Sequence, residues 1–278
     1  MSRRGSDLDP SAFSGLTVAI TGGARGIGRA TAALLRAAGA DVVIGDRDVA
    51  QLEAAATELG VRWHPLDVTS TRDWAAFAAE AGAVDVLVNN AGIMPLGELL
   101  KESEEVTRQI FEVNTFGVIA GMKALAPGMV ERGQGHIINI ASAVGRVALA
   151  GGATYSASKH AVVGLSEAMR EELAPHGVDV SMVLPVIVRT ELSAGVPETR
   201  GVPPVTAEQV AEVIAEVIAH PVPEAWVPRW SQPVAKSAQL LPRRLQAVVS
   251  RALKADTVLT GADTAARATY EREARRHP

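Results

Sequence analysis

No cysteine occurs among the 278 residues, which excludes disulfides, thiol nucleophiles and cysteine-ligated zinc. The six histidines, at positions 64, 136, 160, 176, 220 and 277, include no pair spaced to share a helical face, so no metal site is expected. Aromatic residues make up only 4%, with two tyrosines, Tyr155 and Tyr270. No stretch approaches 18 uncharged apolar residues, so no transmembrane helix is expected. Residues Met1 to Gly15 carry two arginines but no apolar run. They read as a flexible tail, not a secretory signal, which leaves a cytoplasmic location as the expectation. There is no excess of basic residues either: 27 Lys and Arg against 31 Asp and Glu give a net charge of −4, and no nucleic-acid partner is expected. What is present is an ordinary core-forming balance of 47% hydrophobic and 21% charged residues.

From Leu16 onward, short β-rich runs alternate with helical segments. Strands are expected at Leu16–Thr21, Asp41–Gly45, Val61–Leu66, Val84–Val88, Gly135–Ile140, Val178–Leu184 and Ala225–Val227. Helices are expected at Gly26–Ala38, Val49–Leu59, Thr71–Glu80, Ser103–Glu131 (bent near Gly117 and Pro127), Tyr155–Leu173 and Thr206–Ala219. Such alternation means βαβ units, a parallel sheet covered on both faces and right-handed crossovers, which together make a doubly wound α/β fold. The reading is one domain over 16–229, followed by a helical C-terminal extension over 230–278.

The first strand runs into Gly22-Gly23-Ala24-Arg25-Gly26-Ile27-Gly28 and then a helix. Glycines at 22, 26 and 28 permit a tight turn and close approach of a pyrophosphate to the helix N-terminus. Lys-Ser/Thr is missing after the loop, which disfavours a nucleotide-hydrolysing P-loop. Asp46 ends the second strand 18 positions after Gly28, where a carboxylate can accept from an adenosine ribose and repel a 2′-phosphate. Arg25 and Arg47 would attract that phosphate, so the signals are mixed, with NAD placed ahead of NADP. Tyr155 and Lys159 share one helical face, 13 and 17 positions beyond Ser142. An ammonium beside a phenol lowers the phenol from about pKa 10 and suits it to proton exchange near neutral pH. Taken alone, Tyr-x-x-x-Lys also fits a plain solvated helix face.

In combination these residues resemble the short-chain dehydrogenase/reductase family. The similarity runs from about Leu16 to Thr190. It rests on the glycine loop, Asp67-Val68, Asn89-Asn90-Ala91-Gly92, Asn114 in FEVNTFG, Ser142 in NIAS, and Tyr155-Ser-Ala-Ser-Lys159. The resemblance implies a Rossmann-like fold and a hydride moving between nicotinamide and a secondary alcohol or ketone. It makes Tyr155 the acid/base and Ser142 the partner of the substrate oxygen. Lys159 would bind the nicotinamide ribose and tune Tyr155, while Asn114 would hold a relay water. The cofactor path would comprise Gly22, Arg25, Gly26, Ile27, Gly28, Asp46, Arg47, Asp67, Val68, Asn89, Ala91, Gly92, Tyr155, Lys159, Val188 and Thr190. Val186 departs from the family pattern by standing where a glycine follows the sixth-strand proline.

The expected pocket walls are Ile93, Met94, Leu96, Val144, Val147, Leu149, Val186, Ile187 and Leu192, which suit a hydrophobic alcohol or ketone. Arg146 would meet a carboxylate or point to solvent. Residues Glu191–Pro204, with two glycines and three prolines, read as a lid. A non-catalytic dinucleotide-binding regulator and an NADPH-dependent 3-oxoacyl thioester reductase stand as alternatives. Ile110, Val113, Val118, Val162, Leu165 and Met169 suggest a homo-oligomer, dimer or tetramer. Between Ser231 and Ala255 there are five basic residues and no acid. That basic helix would pack on the domain or a neighbouring subunit, rest peripherally on an anionic membrane, or close the cleft as a flap.

Overall fold

A computed structural model describes residues 11–197, 202–240, 242 and 258–274. The first ten residues of the expected tail, part of the expected lid and the basic stretch after Pro242 lie outside the described residues.

Seven strands form one parallel sheet in the order β3-β2-β1-β4-β5-β6-β7. They are β1 (Thr17–Thr21), β2 (Asp41–Asp46), β3 (Arg62–Pro65), β4 (Val86–Asn89), β5 (Gly135–Ile140), β6 (Val178–Pro185) and β7 (Glu224–Val227). Both faces are covered, so the central strands are apolar throughout instead of alternating. On one face lie α1 (Gly26–Ala37), α2 (Val49–Leu59) and α7 (Ala207–Ala219), whose Leu35, Leu52, Val210 and Ile214 meet Ile20 and Ile44. On the other lie α3 (Thr71–Ala81), α4 (Glu104–Phe111), α5 (Gly117–Arg132) and α6 (Ala153–Leu173). There Trp74, Phe77, Ile110, Met129 and Val162 pack on Leu87 and Ile137. Local chemistry sets several starts: Asp48 and Ser70 accept from the amides of Gln51 and Asp73, and Thr206 and Gln209 cap α7 reciprocally. Strand order reverses between β1 and β4, and a doubly wound sheet opens its ligand crevice there.

The single helix expected over Ser103–Glu131 is α4 and α5 joined by a π-helical turn at Glu112–Phe116, with Pro127 inside α5. The extra residue per turn is a device of functional sites, and here it carries Asn114. By length and composition, Glu104–Arg132 would be long enough to cross a membrane, contrary to the expectation. Val113, Val118, Met122 and Met129 instead bury its inner face in the core. Ile110, Val113, Val118 and Val162 are likewise fully inside the subunit, so they supply no contact face for an oligomer.

β5 also carries a histidine held in the neutral form. His136 is buried, bonds Ser181 Oγ at 2.8 Å through Nε2, and is pushed down to about 4 by desolvation. The unfolded chain takes up the proton near pH 6.5 and the folded chain does not, so stability present above pH 6.5 is lost as pH falls toward 4. A separation of about 2.5 pKa units corresponds to about 3 kcal/mol. Urea titrations at pH 7 and pH 4.5 should therefore show a smaller acid loss in His136→Gln than in the parent; equal losses would assign the acid sensitivity elsewhere.

Beyond β7 the extension forms α8 (Ser231–Leu240) and α9 (Thr264–Ala274). Between them Val258 and Leu259 are buried, and a Cβ built on Gly152 would sit 2.7 Å from Leu259 Cδ1. The extension thus returns onto the α/β domain.

Candidate active site

A cleft of about 1070 Å³ runs along the carboxyl ends of the strands, from the glycine turn and Asp46 to Tyr155 and on to α9. Its first end is made of backbone. Gly22 and Gly26 take φ of +65° and +53°, a region costly for any side chain. Gly28 lies beneath the turn, where a Cβ would stand 2.2 Å from the Gly22 carbonyl oxygen. α1 begins at Arg25 with no side-chain cap, so its first amides face the cleft as an anion site. Gly22, Arg25, Gly26, Ile27, Asp46, Arg47, Asp67, Val68, Ala91, Gly92, Val188 and Thr190 all border the cleft. These features fit a dinucleotide: a pyrophosphate against the turn, with a carboxylate 18 residues on at the end of β2.

Several of these side chains are already engaged. Asp46 accepts from the amides of Ala24 and Asp48, both at 3.2 Å. Arg25 pairs with Asp48 at 2.9 Å and Glu191 at 2.8 Å, tying the glycine turn to the segment after β6. Asp67 accepts from the Thr69 amide and hydroxyl. Thr190 packs its methyl group against Gly26.

At the other end, Ser142 follows β5 and caps a short 3₁₀ turn, Ala143–Gly145. Gly145 presses on the Lys159 carbonyl, where a Cβ would lie 2.8 Å away, so this turn is clamped to α6. Tyr155 and Lys159 lie on the buried face of α6, 7% and 5% exposed. The Ser142 hydroxyl lies near enough to the Tyr155 phenol to favour its ionised form. Lys159 Nζ donates to the Ile140 carbonyl at 2.8 Å. Gly92 separates Lys159 from Asn114: a Cβ there would be 3.7 Å from Nζ and 3.2 Å from Asn114 Oδ1. Asn114 accepts from the Ile93 amide at 2.8 Å and donates to the Ile93 carbonyl and Ser158 Oγ at 2.9 and 3.1 Å. It therefore locks the segment after β4 onto α6.

The structure corrects four expectations. Lys159 does not draw the phenol down: burial pushes Tyr155 up to about 12, with the Ser142 hydroxyl opposing, and pushes Lys159 down to about 8. The ammonium donates to a carbonyl, and desolvation disfavours both charged forms. Asn89 does not border the cleft but donates to Asn139, which donates to Ser166, in a buried chain. Its neighbour Asn90 faces the cleft and donates to the carbonyls of Thr21 and Gly22 at 2.9 and 3.1 Å. Leu96 is absent from the cleft wall. Arg146 is half-buried and engaged by two carboxylates of the chain itself, Glu167 and Glu224, at 2.6 Å each.

The other expected walls line the cleft, and the extension supplies more: Trp230, Val234, Val258, Leu259 and Tyr270. None of these five was named among the expected walls, although closure over the cleft was one expectation for the extension. Arg267, 2% exposed, donates to the carbonyls of Met94, Leu192 and Ala194. It pins α9 to both sides of the opening.

A family model described as short chain dehydrogenase matches residues 16–201. The chain belongs to the short-chain dehydrogenase/reductase family. That family uses NAD(P). Dehydrogenase/reductase SDR family member 7B of Bos taurus is 38% identical over 191 residues, covering 63% of this chain and 59% of the relative. The chain thus spans about 59% of that relative's length. A 3-alpha-(or 20-beta)-hydroxysteroid dehydrogenase of Mycobacterium tuberculosis is 37% identical over 190 residues, covering 66% of this chain and 73% of the relative. Among solved structures, a Brucella melitensis 3-oxoacyl-[acyl-carrier protein] reductase with bound NAD superposes with a TM-score of 0.73 at 28% identity, covering 82% of this chain and 94% of that one.

Proposed function

We propose that this short-chain dehydrogenase/reductase transfers a hydride between NAD and a hydrophobic secondary alcohol or ketone. The observation that carries the reading is the convergence of Ser142, Tyr155 and Lys159 at the end of an apolar cleft that starts on the glycine turn. Bound nicotinamide supplies or takes the hydride. The chain does the rest. Ser142 and Tyr155 donate to the substrate oxygen, where alkoxide charge builds during reduction, and aimed donors in a dry site stabilise that charge most. Tyr155, protonated in its buried position, gives the alcohol its proton. Lys159 adds a positive potential from the end of β5, and Asn114 positions both the segment at Ile93 and α6. The apolar walls, and the hydroxysteroid dehydrogenase among the relatives, support a lipophilic substrate. An alcohol and ketone panel read at the reduced-nicotinamide absorbance tests this reading; no turnover on any hydrophobic member, with cofactor bound, would favour a non-catalytic dinucleotide-binding role.

Preference for NAD rests on Asp46 and on Arg25. The carboxylate repels a 2′-phosphate, and Arg25 already serves two carboxylates, Asp48 and Glu191, so it is a weak grip for that phosphate. Asp46→Ala should narrow the NAD:NADP ratio of kcat/KM by about tenfold, the effect of about 1.4 kcal/mol of relieved repulsion. Steady-state assays with both cofactors decide it, and a parent enzyme that prefers NADP would refute the assignment.

A further inference from the structure

Tyr270 lies near the C-terminus, outside every motif of the catalytic machinery, yet it borders the same cleft as Tyr155. The two phenols are close enough to interact electrostatically. The Tyr270 oxygen accepts from the Met94 amide at 2.7 Å. The amide before it, on Ile93, holds Asn114. Two successive amides after β4 thus fix the residue that braces α6 and a second phenol. The ring is held as firmly as the hydroxyl. The Arg267 guanidinium stands 5.1 Å from its centroid and is itself anchored on three carbonyls. Leu96 donates to Glu271 at 3.2 Å, and Gln109 donates to the Ala274 carbonyl. A group fixed on a packed helix by such supports is suited to recognition.

One capacity of this phenol is unspent. Its oxygen has a donor, but its proton meets no acceptor among the described residues. The ring is half-buried and borders the cleft, so this donor is open to a ligand there, and an anchor for α9 would need only the bond from Met94. Burial raises the phenol above its ordinary value, outweighing the Arg267 cation, so it stays a donor.

We propose that Tyr270 is a specificity-determining residue that donates to a second acceptor oxygen on the substrate. The cleft then takes hydrophobic ketones or secondary alcohols with another oxygen near the reacting carbon, such as diketones and hydroxyketones, ahead of their singly oxygenated counterparts. This rests on the oxidoreductase reading for the first oxygen, which belongs to Ser142 and Tyr155.

Binding can be read without turnover, because Trp226 and Trp230 border the cleft and report ligands by fluorescence quenching. The probes are 1-phenylpropane-1,2-dione and propiophenone, titrated into the full chain with NAD present, alongside NADH-dependent reduction of each. Parent enzyme should bind and reduce the dione more efficiently. Tyr270→Phe should cut the dione-to-monoketone ratio of kcat/KM, and of affinity, by about three- to tenfold, the worth of one hydrogen bond. Gln109→Ala loosens the α9 anchor but keeps the phenol, and should leave that ratio near the parent's. Equal losses on both probes in Tyr270→Phe, matching Gln109→Ala, would make Tyr270 an anchor only. Parent enzyme without preference for the dione, or binding neither probe, would also overturn the proposal. A dione preference in binding without any reduction would keep the subsite and reject the oxidoreductase reading.

Discussion

Tyr155→Phe should lower turnover by about 10²- to 10⁴-fold, the usual cost of losing a general acid, with cofactor affinity close to the parent's. The variant deletes one oxygen and keeps the ring on the buried face of α6. What disappears is the proton for the alkoxide and the interaction with Ser142. The pH dependence adds a second constraint. Tyr155, pushed up to about 12, keeps its proton throughout the working range. Lys159, pushed down to about 8, does not. Its ammonium is present below pH 8 and discharged above, so ketone reduction should fall as pH rises through about 8. Lys159→Met should be slow at every pH and lack that inflection. Reduced-nicotinamide absorbance with the best ketone, from pH 6 to 10, gives both results. Near-normal turnover in Tyr155→Phe would remove the phenol from the mechanism. A falling limb kept in Lys159→Met would assign the titration to another group.

The succession of strands and helices and most residues bordering the cleft were legible in the sequence because each depends on short-range pattern. Buried parallel strands are continuous apolar runs, the turn needs glycine at fixed offsets, and the pair at 155 and 159 needs only helical spacing. Three features escaped for physical reasons. Asn89 and Asn90 are adjacent, and alternation along an extended chain sends one inward to Asn139 and the next to the glycine turn; composition does not distinguish them. The engagement of Lys159 with the Ile140 carbonyl is a tertiary contact across 19 residues, so helical spacing suggested a charge pairing that the backbone pre-empts. Arg267 gave the weakest signal of all. In sequence it belongs to a mixed-charge tail, yet three carbonyls and Glu271 make its burial tolerable. The choice among a domain or subunit contact, a membrane surface and a flap concerned the basic stretch between Ser231 and Ala255, most of which lies outside the described residues. The structure sets α9 at the mouth of the cleft.

Gly28→Ala should cost both stability and nearly all cofactor binding, although it adds one methyl group. The new carbon would lie 2.2 Å from the Gly22 carbonyl oxygen and 2.7 Å from Asn90 Nδ2. Neither neighbour has freedom to retreat. Gly22 is itself wedged: a Cβ there would stand 3.0 Å from Ala91 Cα, and its φ is +65°. Asn90 is bound to the carbonyls of Thr21 and Gly22. Relief requires the turn to open, which breaks those bonds and shifts the first amides of α1 from the path of a pyrophosphate. Overpacking of this kind costs about 1–3 kcal/mol, and the displaced anion site should weaken NADH binding by at least about tenfold. Gly60→Ala separates strain from clash. Gly60 has a φ of +63° with nothing within 4 Å of a built Cβ, so that variant should lose about 1–2 kcal/mol from its backbone alone and bind NADH like the parent. Thermal melts and NADH fluorescence titrations on the two variants provide the comparison. Parent-like NADH affinity in Gly28→Ala would mean that the turn below α1 is not where the cofactor's phosphates sit.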